Sequence, residues 1–235
     1  MNNGATSNTI VEKPPLVVEI MGPAGAGKTT LVRALSRRDK TIQPGIPLPK
    51  TRQIPFFISN TFSMLPTYLR HYRHSRWFNW RETRSMVYLK AGLHVFRQEA
   101  LNNDVVTVLD HGPIYRLATL REFGPELTTS QLYARWWANL FSQWAATLDM
   151  IIWLDAPNVI LLDRIRCRDH WHVIKEKCER EAYEFLTRYR TAMERLIVRS
   201  VTDHQVALLR FDTSKKSAEQ IVGEVLATFD GVRGL

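Results

Sequence analysis

The sequence has little cysteine: Cys167 and Cys178 are the only two in 235 residues. That excludes a disulfide framework and makes a reducing, cytoplasmic setting the expectation. No apolar run approaches the ~20 residues of a bilayer span, and residues 1–8 lack the charged and apolar regions of a secretory signal. Residues 1–14 read as a disordered polar tail, followed by one folded unit over 15–235. Internal repeats are absent, as are low-complexity tracts beyond the tail. Acids are scarce: 23 Asp and Glu face 32 Lys and Arg, a formal charge of +9. A surface of that sign favours anionic partners, whether nucleotides, phosphorylated metabolites, nucleic acid or a membrane surface. Charge alone does not choose among them.

What is present centres on Gly22-Pro23-Ala24-Gly25-Ala26-Gly27-Lys28-Thr29, entered from the apolar run at 16–21. The pattern is G-x-x-x-x-G-K-S/T, a phosphate-binding loop. Polyphosphate oxygens need many close donors, and backbone N–H groups approach only where side chains are missing. Gly22, Gly25 and Gly27 provide that room, with Ala26 and Thr30 completing the cradle. The helix starting near Gly27 adds its positive end. Lys28 is then the point charge on the β- and γ-phosphates, and Thr29 the hydroxyl ligand of Mg²⁺. Leu31, Val32 and Leu35 leave the loop at helical spacing, which argues against a chance glycine-rich turn.

The first helix is predicted to reach Arg38. Prolines 44, 47, 49 and 55 make Asp39–Pro55 a long irregular connection, with a short strand at Phe56-Phe57-Ile58. Residues 60–102 are mostly helical in pattern. Strands at 105–109, 150–154 and 206–211 alternate with helices at 114–122, 128–147, 158–168, 182–200 and up to Asp230. The expectation is an α/β fold in three layers, a doubly wound parallel sheet of about five strands flanked by helices. Ligands of such sheets sit at the carboxyl ends of the strands, where the phosphate loop, Asp110, Asp155 and Asp212 would gather.

Asp110 ends a buried strand, where phosphate-loop proteins hold Mg²⁺; as Gly112-Pro113 follows, it also reads as a turn-former. His111 is a candidate acceptor-binding or proton-transferring group, or a structural histidine beside the turn. Arg164 and Arg168 lie on one face of a helix leaving Asp155-Ala156-Pro157, either as catalytic arginines of a lid at 164–176 or as a solvated basic face. Cys167, His170, His172 and Cys178 mimic a zinc site, but the spacing is not a usual one and Arg166, Arg168, Lys175 and Lys177 crowd it. Arg70, Arg73, Arg76, Arg81 and Arg84 interleave with Tyr68, Tyr72, Trp77 and Trp80, opposed only by Glu82. They form either an acceptor site with stacking aromatics or a basic surface helix with its aromatics turned inward. Trp136, Trp137 and Trp144 read as core or as a homodimer face.

The loop 22–30, the strand-end Asp110 and the segment "LDAPNVILLDRIRCR" with its following lid resemble thymidylate kinases and related P-loop nucleoside and nucleotide kinases. The likeness covers most of 16–230 in element order, and only the loop and 155–168 are specific. It implies ATP and Mg²⁺ as cofactors, Lys28 and Thr29 on phosphate and metal, Arg164 and Arg168 in the lid, and Thr213 beside the adenine. It also places Arg70, Arg73, Arg84 and His111 at the acceptor. Two features depart from the family: His111 stands where an arginine follows the strand-end acid, and the stretch 53–60 carries no acid. Both concern the acceptor.

The leading function is ATP-dependent transfer to a small anionic acceptor, a nucleotide, nucleoside or similar metabolite. A hydroxyl acceptor, as in sugar kinases, needs a base, for which Asp110 and His111 are the candidates. A switch or motor ATPase is the alternative class, but no Asn-Lys-x-Asp motif occurs and no Glu follows Asp110. Nucleic-acid binding rests on charge alone and is not expected.

Overall fold

The computed structural model describes residues 15–71, 73–99, 105–169 and 172–234. The tail expected over 1–14 lies outside the described residues, as do Tyr72 of the basic run and His170 of the cysteine–histidine segment. The chain runs β1 (Leu16–Met21), α1 (Lys28–Arg38), β2 (Ile42–Pro44), α2 (Lys50–His71), α3 (Trp80–Glu99), β3 (Val106–Asp110) and α4 (Pro113–Phe123). It continues through α5 (Gln131–Ala145), β4 (Met150–Asp155), α6 (Asn158–Arg166), α7 (Glu179–His204), β5 (Ala207–Asp212) and α8 (Ala218–Arg233). Short 3-10 turns at Glu126–Thr129 and Val173–Glu176 precede α5 and α7.

All pairings are parallel, in the order β2-β3-β1-β4-β5. Strand residues therefore alternate between two cores. Val17, Met21, Leu109, Ile151 and Trp153 face the core shared with α3, α4, α5 and α7. Val18, Ile20, Val108, Ile152 and Leu154 face the core shared with α1, α6 and α8. The result is three layers, with β1 central and its carboxyl end at the point where the winding reverses. Burial on both faces explains the continuous apolar runs of β1 and β4.

The second strand is misplaced by the sequence reading. Phe56-Phe57-Ile58 is helical, inside α2, and the strand is Ile42–Pro44. The connection Asp39–Pro55 is correspondingly less irregular than its prolines suggest, since it contains β2 and the first turns of α2. Three residues carry almost no periodicity, and Pro44 is tolerated because β2 is an edge strand. In α2 the spacing of Phe56, Asn60 and Met64 turns one side toward α3, which overrides the local β propensity of the aromatics. Asn79 and Glu82 then restart the chain as α3: each side chain binds the other's backbone N–H, at 2.9 and 2.8 Å. Trp137 and Trp144 are core, with indole N–H groups donating to Leu117 O and Leu89 O, both at 2.9 Å. Trp136 is half-buried beside them.

Candidate active site

The phosphate loop packs tightly against its neighbours. A Cβ on Gly22 would lie 2.0 Å from Leu154 O, and its φ of 146° is open to glycine alone. Lys28 begins α1 and is buried, its Nζ donating to Gly22 O at 2.7 Å and Pro23 O at 2.9 Å. Burial lowers the Lys28 ammonium to about 8; Asp110 opposes the shift and Arg168 adds to it. Arg168 is thus close enough to act on Lys28 while remaining exposed. In this structure the loop carbonyls are the ammonium's hydrogen-bond partners. Thr29 and Thr30 are exposed at the mouth, and Ala26 is buried in the loop wall.

Thr29 Oγ1 donates to Asp110 Oδ2 at 2.7 Å. Asp110 Oδ1 lies 2.9 Å from His111 Nδ1 but outside hydrogen-bond geometry. Burial raises the Asp110 carboxyl, but His111, the Thr29 hydroxyl and Lys28 together hold it below its ordinary value. The carboxylate is therefore ionised at neutral pH. A hydroxyl beside an ionised carboxylate at the foot of a phosphate loop is a donor set that suits Mg²⁺, which takes few protein ligands and completes its shell from phosphates and water. Among the described residues no group of three or more His, Cys, Asp or Glu gathers around a metal position. The exposed Cys167 and Cys178 are free thiols, and His172 Nδ1 accepts from Ile174 N–H at 3.2 Å.

The turn after Asp110 rests on a residue the sequence reading passed over. Glu19 sits in the middle of β1 with no exposure at all. Its Oε2 and Oε1 accept from the N–H groups of Ile114 and Tyr115, each at 2.9 Å, in the first turn of α4. A carboxylate there satisfies two orphan donors and faces the positive end of the helix. Burial pushes Glu19 up to about 7, against the two N–H bonds and Arg116, which favour the ionised form. Gly112 makes the approach feasible, because a Cβ on it would lie 2.8 Å from Glu19 Cδ. His111 pays for this tight turn with a φ of 54°, and its ring meets Tyr115 edge-on at 4.4 Å. The signal was a lone charged residue inside a buried strand.

Two arginines tie together the loops that follow the strands β4 and β5. Arg164 donates to Thr213 Oγ1 at 2.8 Å and Thr213 O at 2.9 Å, with a longer bond to Gly25 O at 3.4 Å. It therefore joins the phosphate loop to the loop after β5. Arg190, on α7, clamps Asp155 through Nε and Nη2 and also reaches Ala156 O at 2.8 Å. Asp155 is thereby committed to holding the end of β4. Asp212 instead caps its own turn through Ser214 N–H at 2.9 Å. Of the strand-end acids, Asp110 stands beside Lys28 and Thr29.

On the other side of the loop, α3 and α4 present a basic, tyrosine-lined wall. Arg116 is half-buried, and its guanidinium lies 4.2 Å above the Tyr88 ring. Its Nη1 donates to Ser85 Oγ at 3.2 Å, while its Nε is buried with no hydrogen-bond partner among the described residues. Burial lowers its charge affinity, Tyr88, Tyr115 and Glu19 oppose that, and Arg84 adds to it. Arg84 is thus brought to this wall, and Arg81 acts on Tyr115 and His172 across it. Arg70 lies in the last turn of α2 and Arg73 follows the helix, both exposed. Arg76 is paired with Glu82 through two 2.7 Å bonds. Arg116 escaped the sequence reading because it stands outside the arginine-rich run.

Comparison with solved structures decides the fold. A deoxyadenosine kinase from M. mycoides with bound dCTP superposes at a TM-score of 0.54, 14% identical, over 92% of this chain and 100% of that one. Thymidylate kinase from Candida albicans gives 0.54 at 15% identity, over 93% and 92%. The fold is that of the P-loop nucleoside and nucleotide kinases. The M. mycoides enzyme with bound dATP gives the same TM-score, 0.54, at 15% identity. No protein-family model matches the sequence, and comparison with curated proteins found no match. The fold is thus shared at 14–15% identity.

Proposed function

We propose that the chain is a cytoplasmic kinase that transfers the γ-phosphoryl group of ATP to a small anionic acceptor of nucleotide or nucleoside type. The observation that carries the reading is the Thr29–Asp110 bond of 2.7 Å beside the buried Lys28. Lys28 would leave the loop carbonyls for the β- and γ-phosphates, and the loop N–H groups would hold the rest of the chain of oxygens. Mg²⁺, when bound by Thr29 and Asp110, would neutralise charge on the phosphates. Arg168 would meet the phosphoryl group in transfer, and Arg164 would keep Thr213 and the phosphate loop in register for the nucleotide. Arg116, with Arg84 and Arg81, would receive the acceptor's negative or carbonyl oxygen, since a buried Nε without a partner calls for an acceptor atom.

A phosphate acceptor is already ionised and needs cations rather than a base, which agrees with this wall and with an Asp110 carboxyl held too acidic to take a proton readily. A second reading has its own observation. His111 Nδ1 lies 2.9 Å from Asp110 Oδ1, so a small rotation of the ring into hydrogen-bond geometry would let Asp110 orient His111 as the base for a hydroxyl acceptor. A screen of nucleosides, nucleotides, sugars and sugar phosphates, reading ADP formation, tests both. Phosphorylated acceptors as the best substrates support the first reading, and uncharged hydroxyl acceptors the second. ADP release that no acceptor accelerates would point to a switch ATPase and defeat both.

A further inference from the structure

The two carbonyls that hold Lys28 each have a second donor. Pro23 O, 2.9 Å from Lys28 Nζ, also accepts from Ala26 N–H at 3.3 Å within the phosphate loop. Gly22 O, 2.7 Å from Lys28 Nζ, also accepts from the hydroxyl of Tyr189 at 3.3 Å. Tyr189 stands on α7, in the core shared with α3, α4 and α5, and its bond to Gly22 O is buried. Its ring lies 6.0 Å from that of Tyr115, and the two hydroxyls are hydrogen-bonded to each other. A phenol has one proton, so with Gly22 O as its acceptor Tyr189 accepts from Tyr115. Burial raises the Tyr189 phenol well above its ordinary value, and Tyr115, Glu19 and Asp110 add to the shift, so the hydroxyl keeps its proton. Arg190, the next residue, is clamped on Asp155 at 2.8 Å and fixes this stretch of α7 against the end of β4.

On the reading of Lys28 as the cation of the β- and γ-phosphates, we propose that Tyr189 is its positioning residue: the hydroxyl keeps Gly22 O bonded when the ammonium moves from the loop to a polyphosphate. A carbonyl oxygen accepts two donors, and a buried one that loses its last partner is destabilising by more than the net worth of the bond. Lys28 leaves two carbonyls at once. Ala26 N–H stays on Pro23 O because both belong to the loop backbone. Tyr189 stays on Gly22 O because α7 is tied to β4 and does not travel with Lys28. Without the hydroxyl, Gly22 O is satisfied in the free protein, where Lys28 holds it, and orphaned in the nucleotide complex. The penalty of removing it therefore falls on nucleotide binding rather than on folding.

Titration calorimetry with Mg²⁺ and the non-hydrolysable ATP analogue AMP-PNP reads this penalty. Tyr189→Phe keeps the ring, so far-UV circular dichroism and Tm should stay near the parental values, while Kd for AMP-PNP rises about tenfold. In turnover, KM for ATP should rise by a similar factor with kcat within about twofold, since ground state and transition state both hold Lys28 on phosphate. In a Lys28→Met background Gly22 O has no ammonium to lose, and Tyr189→Phe should change Kd by less than about twofold. A hydroxyl that only braces α7 against the loop would weaken binding equally in both backgrounds, and that result overturns the proposal. A parental Kd for Tyr189→Phe overturns it too. In both cases AMP-PNP binding by the parent leaves the reading of the phosphate loop standing. A parent that binds no AMP-PNP removes that reading, and the role of Tyr189 falls with it.

Discussion

Glu19→Gln is the substitution whose effect follows most directly from the geometry. In the folded chain Glu19 is without exposure and titrates near 7, against an ordinary value of 4.5. Folding therefore takes up a proton between about pH 4.5 and 7, and stability falls as pH rises through that window. A shift of this size corresponds to about 3 kcal/mol. Glutamine has the shape of the protonated acid and does not titrate. The stability difference between variant and parent should thus move in the variant's favour by about 3 kcal/mol from pH 4.5 to pH 8. For a chain of this length that is roughly 6–12 °C in Tm. Glu19→Ala also does not titrate, but it strands the Ile114 and Tyr115 N–H groups and should lie about 3–5 kcal/mol below Glu19→Gln at every pH. Urea or thermal unfolding of all three proteins across pH 4.5–8 measures both effects. A parent-to-glutamine difference that is flat with pH would refute the raised titration of Glu19, and a Glu19→Ala stability equal to that of Glu19→Gln would refute the account of how α4 is pinned.

The remaining expectations concern the chemistry. Lys28→Ala should lower kcat by roughly a hundred- to a thousandfold with the fold retained, and turnover near the parental rate would remove Lys28 from the reaction. In the parent, kcat/KM for ATP should fall about tenfold per pH unit above the Lys28 value of about 8, because neutral Lys28 lacks the charge that phosphate needs. Asp110→Asn should cut kcat, with partial recovery in Mn²⁺ or high Mg²⁺; a loss that no metal relieves would favour the base role. Arg164→Ala should raise KM for ATP, since it releases Thr213 from the phosphate loop, whereas Arg168→Ala should lower kcat. Equal behaviour of the two would erase the distinction drawn from their contacts. Arg116→Met should raise the acceptor KM about tenfold or more while leaving that for ATP unchanged, read by varying each substrate in turn.

The phosphate loop and the strand-end Asp110 were legible in the linear sequence because their chemistry is local. Three glycines, one lysine and one threonine must stand in fixed spacing to cradle phosphate, and nothing distant can replace them. The buried strands β1, β3 and β4 were legible for a similar reason: a parallel strand covered on both faces writes itself as an unbroken apolar run. Three features depended on packing across long sequence distances. Phe56-Phe57-Ile58 became helix because α3 lies against that side of the chain. Glu19 acquired its role from α4, some 95 residues away, whose first N–H groups need an acceptor that only the centre of β1 can offer. Arg164 and Arg168, equal on one helix face by spacing, were separated by what stands opposite: Thr213 for the first and Lys28 for the second. Local sequence fixes which groups can bind phosphate, because that chemistry is set within a turn. The partners that tune those groups come from other layers, and their identity is decided only when the sheet brings the layers together.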